Sequence, residues 1–243
     1  MHPIAILSAL SQEQQGLIEL LHQPLKVTHA GRDFWQGNLH GQLVVLGLSK
    51  IGKVAAATTT AALIERFDVG RIVFTGVAGG LAAGVNVGDV VVATEFVQHD
   101  LDVSPLFPRY EVPLYGQTRF VSDITLSALL CQAAAAVLIS AATVPGARLH
   151  QGLIASGDRF VSGADESVAL RATLAAHGHA VLAVDMECAA VAQVCHDYGV
   201  AFAAVRTISD RAGGSAHVDF AAFVEQVASR YARALIEKLL KML

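Results

Sequence analysis

Three cysteines are too few for a disulfide framework and cannot all pair within the chain, so the reducing cytoplasm is the expected compartment. Basic excess is also missing. Seventeen Lys and Arg stand against 21 Asp and Glu, a net charge of −4, which leaves nothing to neutralise phosphates and argues against nucleic acid as a partner. Charged residues are only 16% and hydrophobic residues 53%, which excludes a disordered chain. Aromatics are 6%, so the core must be built from Ala, Val, Leu and Ile. The first ten residues, MHPIAILSAL, have no Lys or Arg ahead of their apolar run, so no secretory signal is expected. Ten histidines are present, but none sits in an H-E-x-x-H context and no Cys-x-x-Cys occurs; no metal site is expected. Walker and G-x-S-x-G patterns are absent as well, which disfavours P-loop chemistry and that type of serine hydrolase.

One stretch needs a membrane check. No charge occurs between Asp123 and Arg148, a length that can span a bilayer. It carries Thr125, Ser127, Gln132, Ser140 and Thr143, is otherwise rich in alanine, and stops at Pro145-Gly146. It reads as an Ala-rich helix packed on the protein's own sheet, and no membrane partner is expected.

At 243 residues one large α/β unit, residues 1–243, is the expectation, with roughly 70–75% of the unfolded surface buried on folding. Residues 4–10 form a short apolar run like a strand buried on both faces, and an amphipathic segment follows from about Glu13 to Leu21. Strand patterns recur at 43–48, 71–75, 89–97, 151–155, 181–184 and 201–208, with a helix over Val54–Phe67. Gly199 is placed to end the helix before the last strand. Asp219 is placed to cap a final helix whose stripe runs Phe220, Phe223, Val224, Val227, Tyr231, Leu235, Leu239. Strands alternating with helices predict a three-layer αβα domain around a mainly parallel sheet. Residues 98–120, with three prolines and Gly116 among aromatics, read as a long irregular loop of the kind that lines sites or interfaces.

Ligands of parallel α/β sheets bind beyond the carboxyl ends of the strands. That rule selects Ser11-Gln12-Glu13, Gly76-Val77-Ala78-Gly79-Gly80, Asp185-Met186-Glu187, and Ser209-Asp210 with Arg206 just before. Taken singly, Glu13 and Glu187 read equally well as acids at helix starts, favoured by the dipole. The glycine turn taken alone reads better as packing than as a ligand cradle. Together on one edge, Glu13, Glu187, Asp210 and Arg206 read as a site.

The segments IGKVAAA at 51–57, TGVAGG at 75–80, VGDVVVAT at 87–94, SGDRFVSG at 156–163, VDMECAAVAQVCHDYGV at 184–200 and VRTISD at 205–210 carry a resemblance. In order and spacing the chain resembles the 5′-methylthioadenosine/S-adenosylhomocysteine nucleosidases of the nucleoside phosphorylase superfamily, nearly end to end. The resemblance implies a nucleoside phosphorylase-like fold and hydrolysis of the N-glycosidic bond of 5′-thio-substituted adenosines, with no cofactor. It implies that Asp210 protonates adenine N7, that Glu13 activates water, and that Arg206 orders that water. Glu187 would anchor the ribose hydroxyls, with Met186 beside the sugar and Ser209 in the same pocket. Phe160 would stack on adenine and the Val161 backbone would read its edge. Leu10, Ile51, Val103, Pro113 and Phe220 would hold the alkylthio tail, a neighbouring subunit completing the pocket in a homodimer.

Two departures stand out: Ser11-Gln12 precede the base where the family has acids, and Val77 replaces the family's Ser or Thr. The second removes a hydroxyl near the water and ribose. It keeps open a nucleosidase for a different purine nucleoside. A phosphorylase is a further alternative, disfavoured because Phe74 stands where phosphorylases place an arginine and Glu13 would repel phosphate. A non-catalytic purine sensor is disfavoured by the presence of all three acids.

Overall fold

In the computed structural model, residues 2–139, 144–213, 220 and 223–243 are described. The strands are β1 (Ile4–Ser8), β2 (His22–His29), β3 (Arg32–Leu39), β4 (Gln42–Leu48), β5 (Arg71–Gly80), β6 (Val90–Gln98), β7 (Phe120–Val121), β8 (Leu149–Ser156), β9 (Val181–Asp185) and β10 (Ala201–Asp210). The helices are α1 (Ser11–Ile18), α2 (Lys53–Phe67), α3 (Ile124–Leu138), α4 (Ala164–Ala176), α5 (Cys188–Tyr198) and α6 (Ser229–Leu240), the last entered through a π-helical turn at Val224–Ala228.

The expected mainly parallel sheet is corrected to a mixed one. β1 lies parallel to β4 and β5, β10 is parallel to β5, and β8 is parallel to β6 and β9. β10–β6, β5–β9, β6–β7, β3–β4 and β2–β3 are antiparallel. Among the described residues ten strands form one sheet, and the pairings β10–β6–β8–β9–β5–β10 close a ring within it. The segment between β5 and β6 is too short for a helical crossover, which a parallel return needs. β2 and β3, which periodicity did not pick out, form an antiparallel meander with β4 at one edge.

Alternation along the strands divides the core. Ala5 and Leu7 of β1 face a cluster with Ala56, Leu63 and Phe67 of α2 and Cys188, Val191 and Cys195 of α5. Ile4 and Ile6 face the other cluster, with Leu17 of α1, Leu130 and Ala134 of α3, and Leu235 and Leu239 of α6. A strand with both faces covered has no polar face, which is why β1 is a continuous apolar run. α3 is the uncharged stretch: Asp123 caps it by accepting from the Leu126 N–H at 2.8 Å, and Leu126, Leu130, Ala133, Ala134 and Val137 are buried against the sheet. Among the described residues no helix is long and apolar enough to cross a membrane. Gly199 ends α5 in the left-handed conformation, φ 66°, as its lack of a Cβ favours. Phe223, Val224, Tyr231, Leu235 and Leu239 of the final stripe are buried and Val227 is partly buried, while Asp219 lies outside the described residues.

β5 does not stop at Thr75. It continues through the glycine run to Gly80, whose Ala183 partner lies on β9. Residues 76–80 are therefore strand where a turn was expected, and the glycines serve close approach, not reversal.

Candidate active site

The carboxyl ends of β1, β5, β9 and β10 open on a cavity of about 410 Å³. Leu10, Glu13, Ile51, Val77, Phe160, Val161, Met186, Glu187, Ser209, Asp210 and Phe220 all line it. Arg206 does not line it but is fully buried beside it. Val103 and Pro113 lie on the long segment between β6 and β7 and do not reach this cavity. Asp185, on the selected edge but given no role from sequence, also lines it, as does Arg159.

Glu13 is 1% exposed. Its Oε2 accepts from the N–H groups of Ala9 and Leu10, both at 2.9 Å, and its Oε1 accepts from the Val77 N–H at 3.0 Å. Two of those bonds close the start of α1, so the helix-start reading holds; the third ties Glu13 to β5 across the cavity. Burial pushes its carboxyl up, against the lowering pull of Arg206 and these N–H groups.

Glu187 opens α5, yet its side chain makes no capping bond. Its Oε1 instead accepts from the Gly52 N–H at 3.0 Å, on the segment before α2. Burial, then the neighbouring Asp185, raise its carboxyl to about 7. A dipole-only role would not send this side chain to another segment.

Arg206 donates through Nε to Asp185 Oδ2 at 2.9 Å, with Nη2 also 2.8 Å from that oxygen and 3.7 Å from Glu187 Oε2. Its guanidinium lies 4.0 Å from the centroid of the Phe74 ring, a contact that favours the cation. Gly76 makes this possible: a Cβ there would overlap Arg206 Nη1 and stand 2.9 Å from Glu13 Oε1.

Asp210 is 1% exposed. Its Oδ2 accepts from Ser209 Oγ at 2.8 Å and its Oδ1 from the Ala212 N–H at 2.7 Å. A Cβ on Gly79 would lie 3.1 Å from Asp210 Oδ1. The Phe160 ring is 41% exposed and meets Phe220 edge-on, 5.6 Å between centroids. Asp158 fixes the loop carrying Phe160: its Oδ1 accepts from the Lys53 N–H at 2.7 Å and its own N–H donates to Asp100 Oδ2 at 2.9 Å.

The model of the phosphorylase superfamily matches residues 3–241. A 5′-methylthioadenosine/S-adenosylhomocysteine nucleosidase of Bacillus thuringiensis (strain Al Hakam) is 39% identical over 232 residues, 93% of each chain. One from Actinobacillus succinogenes is 38% identical over 222 residues, 91% of each. Among solved structures, the nucleosidase of Neisseria meningitidis in complex with methylthio-immucillin-A is 36% identical, covers 100% of both chains and has a TM-score of 0.90. A futalosine hydrolase mutant of Helicobacter pylori strain 26695 is 31% identical over 100% of both chains, with a TM-score of 0.88. With sequence, fold and the acids of the cavity in agreement, the chain belongs to the 5′-methylthioadenosine/S-adenosylhomocysteine nucleosidase family of the phosphorylase superfamily.

Proposed function

We propose that this enzyme hydrolyses the N-glycosidic bond of 5′-methylthioadenosine and S-adenosylhomocysteine, releasing adenine and a 5′-thioribose. The convergence of two buried acids on one cavity supports this most: Glu13 Oε1 sits against Gly76 and Val77, Asp210 Oδ1 sits against Gly79, and both side chains line the same space.

Glu13 takes a proton from water as the water oxygen bonds to C1′. The C1′–N9 bond breaks, its electron pair passing into adenine, and Asp210 gives its proton to N7. The two carboxyls then return to their starting states by exchange with solvent. Each such group typically contributes roughly 10²–10⁴-fold. Ser209 Oγ, 2.8 Å from Asp210 Oδ2, keeps that carboxyl in place. Glu187 Oε1 is engaged by Gly52, which leaves Oε2 for the ribose hydroxyls. Arg206 orders the water and the acids. Phe160 stacks on the base, the Val161 backbone reads its edge, and Met186 packs beside the sugar. Leu10, Ile51 and Phe220 take the alkylthio tail. Val103 and Pro113 complete that pocket from a second copy, so the working unit is a cytoplasmic homodimer of single-domain chains.

Phosphate is a poor fit as nucleophile. Four acidic side chains, Glu13, Asp185, Glu187 and Asp210, line the cavity. Arg159, the arginine lining it, is paired with Glu166 at 2.8 Å. One observation favours a second reading, a nucleosidase for another purine nucleoside: Val77 offers the cavity a methyl surface where a hydroxyl was expected. Incubation with methylthioadenosine, adenosylhomocysteine and inosine separates the two. Adenine from the first two and no hypoxanthine from inosine is the expected result; preferential hypoxanthine release would select the second reading.

A further inference from the structure

Asp185 is 7% exposed, and every hydrogen-bonding group around its carboxylate is a donor. Oδ2 takes Arg206 Nε at 2.9 Å, with Nη2 at 2.8 Å. Oδ1 takes the Ser156 hydroxyl and, at 3.3 Å each, the N–H groups of Glu187 and Cys188. Ser156 Oγ in turn accepts from the Ala189 N–H at 2.8 Å. One carboxylate thus joins the start of α5, which carries Glu187, to the guanidinium that stands between Glu187 and Glu13. An amide in its place would turn an NH₂ toward donors whichever way it lay. A helix cap alone needs only Oδ1; the pairing of Oδ2 with Arg206 exceeds that role.

We propose that Asp185 is a positioning residue of the hydrolytic site: it holds the Arg206 guanidinium on the Phe74 ring and offsets its charge. The groups facing the Asp185–Arg206 pair are Glu13 from α1, Glu187 and the Cys188 thiol from the start of α5, and His99 from the end of β6. Asp185 is a like charge that raises Glu187, whereas Arg206 lowers both Glu187 and Glu13. Loss of the Asp185 charge leaves Arg206 uncompensated, so both carboxyls ionise at lower pH.

The inference rests on the hydrolase reading, and that is checked first: wild-type protein that releases no adenine from methylthioadenosine defeats the reading, whatever Asp185 does. With activity in hand, Asp185→Asn, Asp185→Glu and Ser156→Ala are compared by kcat, KM and kcat/KM against pH, together with Tm. Asp185→Asn is expected to lower kcat by on the order of 10–100-fold, as misplacement of a site group does. KM should stay within about threefold, and the acid limb of kcat/KM should move to lower pH, since the base stays ionised further down. Ser156→Ala, which removes a donor to Asp185 Oδ1 and the acceptor of the Ala189 N–H but leaves the pairing of Oδ2 with Arg206 in place, is expected to lower Tm and leave the acid limb unmoved. Should Asp185→Asn not fold, Asp185→Glu decides: retained charge with a displaced fork predicts an unmoved acid limb and at least a tenfold loss of kcat. An acid limb in Asp185→Asn that matches wild type, or a kcat in Asp185→Glu within about twofold of wild type, overturns the proposal.

Discussion

Gly76→Ala adds one methyl group to the interior of β5, at a point where two catalytic candidates converge. The new Cβ would overlap Arg206 Nη1 and lie 2.9 Å from Glu13 Oε1. Arg206 cannot withdraw easily, because its side chain is 1% exposed, its Nε and Nη2 are held by Asp185, and Phe74 lies against its guanidinium. Glu13 is fixed by three N–H donors. Something must therefore shift, at about 1–3 kcal/mol, the usual penalty for overpacking a core. For a chain of this size that lowers Tm by roughly 3–10 °C. The chemistry should suffer more, since about 1 Å of misplacement at a reacting centre can cost on the order of 10²-fold in rate. Adenine release from methylthioadenosine gives the rate and thermal unfolding gives the Tm. Gly84→Ala is the control, because a Cβ there meets nothing within 4 Å; it should change stability by no more than about 0.5 kcal/mol. Gly76→Ala with wild-type Tm and kcat within about threefold would refute the packing described here.

Glu13→Gln and Asp210→Asn should each lower kcat by roughly 10²–10⁴-fold with little change in substrate affinity; retention of more than about a third of wild-type kcat would show the assigned role to be wrong. Val77→Ser should change kcat/KM on methylthioadenosine by less than about tenfold, because one neutral hydrogen bond is worth around 1 kcal/mol. A gain above about a hundredfold, beyond one such bond, would mean the chain is tuned to another nucleoside. Glu187 binds its proton more tightly folded, at about 7, than at its ordinary 4.5. The folded state therefore holds more protons between those values, and stability should fall as pH rises from 4.5 to 7, by up to ~3 kcal/mol. Urea midpoints across that range should show the slope in wild type and a flatter one in Glu187→Gln; equal slopes would contradict it.

Much of the candidate site was legible because its residues follow strand ends. β1, β5, β9 and β10 are apolar runs, and the acids that follow them fall on one edge by the ordinary rule for α/β sheets. β2 and β3 were not legible: HQPLKVTH is mostly exposed, and an edge strand paired on one side carries no apolar alternation to find. The glycines at 76–80 misled in the other direction, since a run that resembles a turn proved to be strand. The signal lay in the neighbours a Cβ would strike, Arg206 and Asp210, which only the fold brings near. Strand direction was also hidden, because periodicity carries no sign; the short segment between β5 and β6 was the one available hint against a parallel return. The contacts of Asp185 are with Ser156 and Arg206, 29 and 21 residues away, and no local pattern marks such a set.

The central claim is that water, held by Glu13, is the nucleophile. Purified protein is incubated with methylthioadenosine in ¹⁸O-labelled water, with and without inorganic phosphate, and the sugar product is identified by mass. The account predicts free methylthioribose carrying one ¹⁸O at C1, formed at the same rate in both conditions. A phosphate-dependent rate with methylthioribose 1-phosphate as the main product would contradict it.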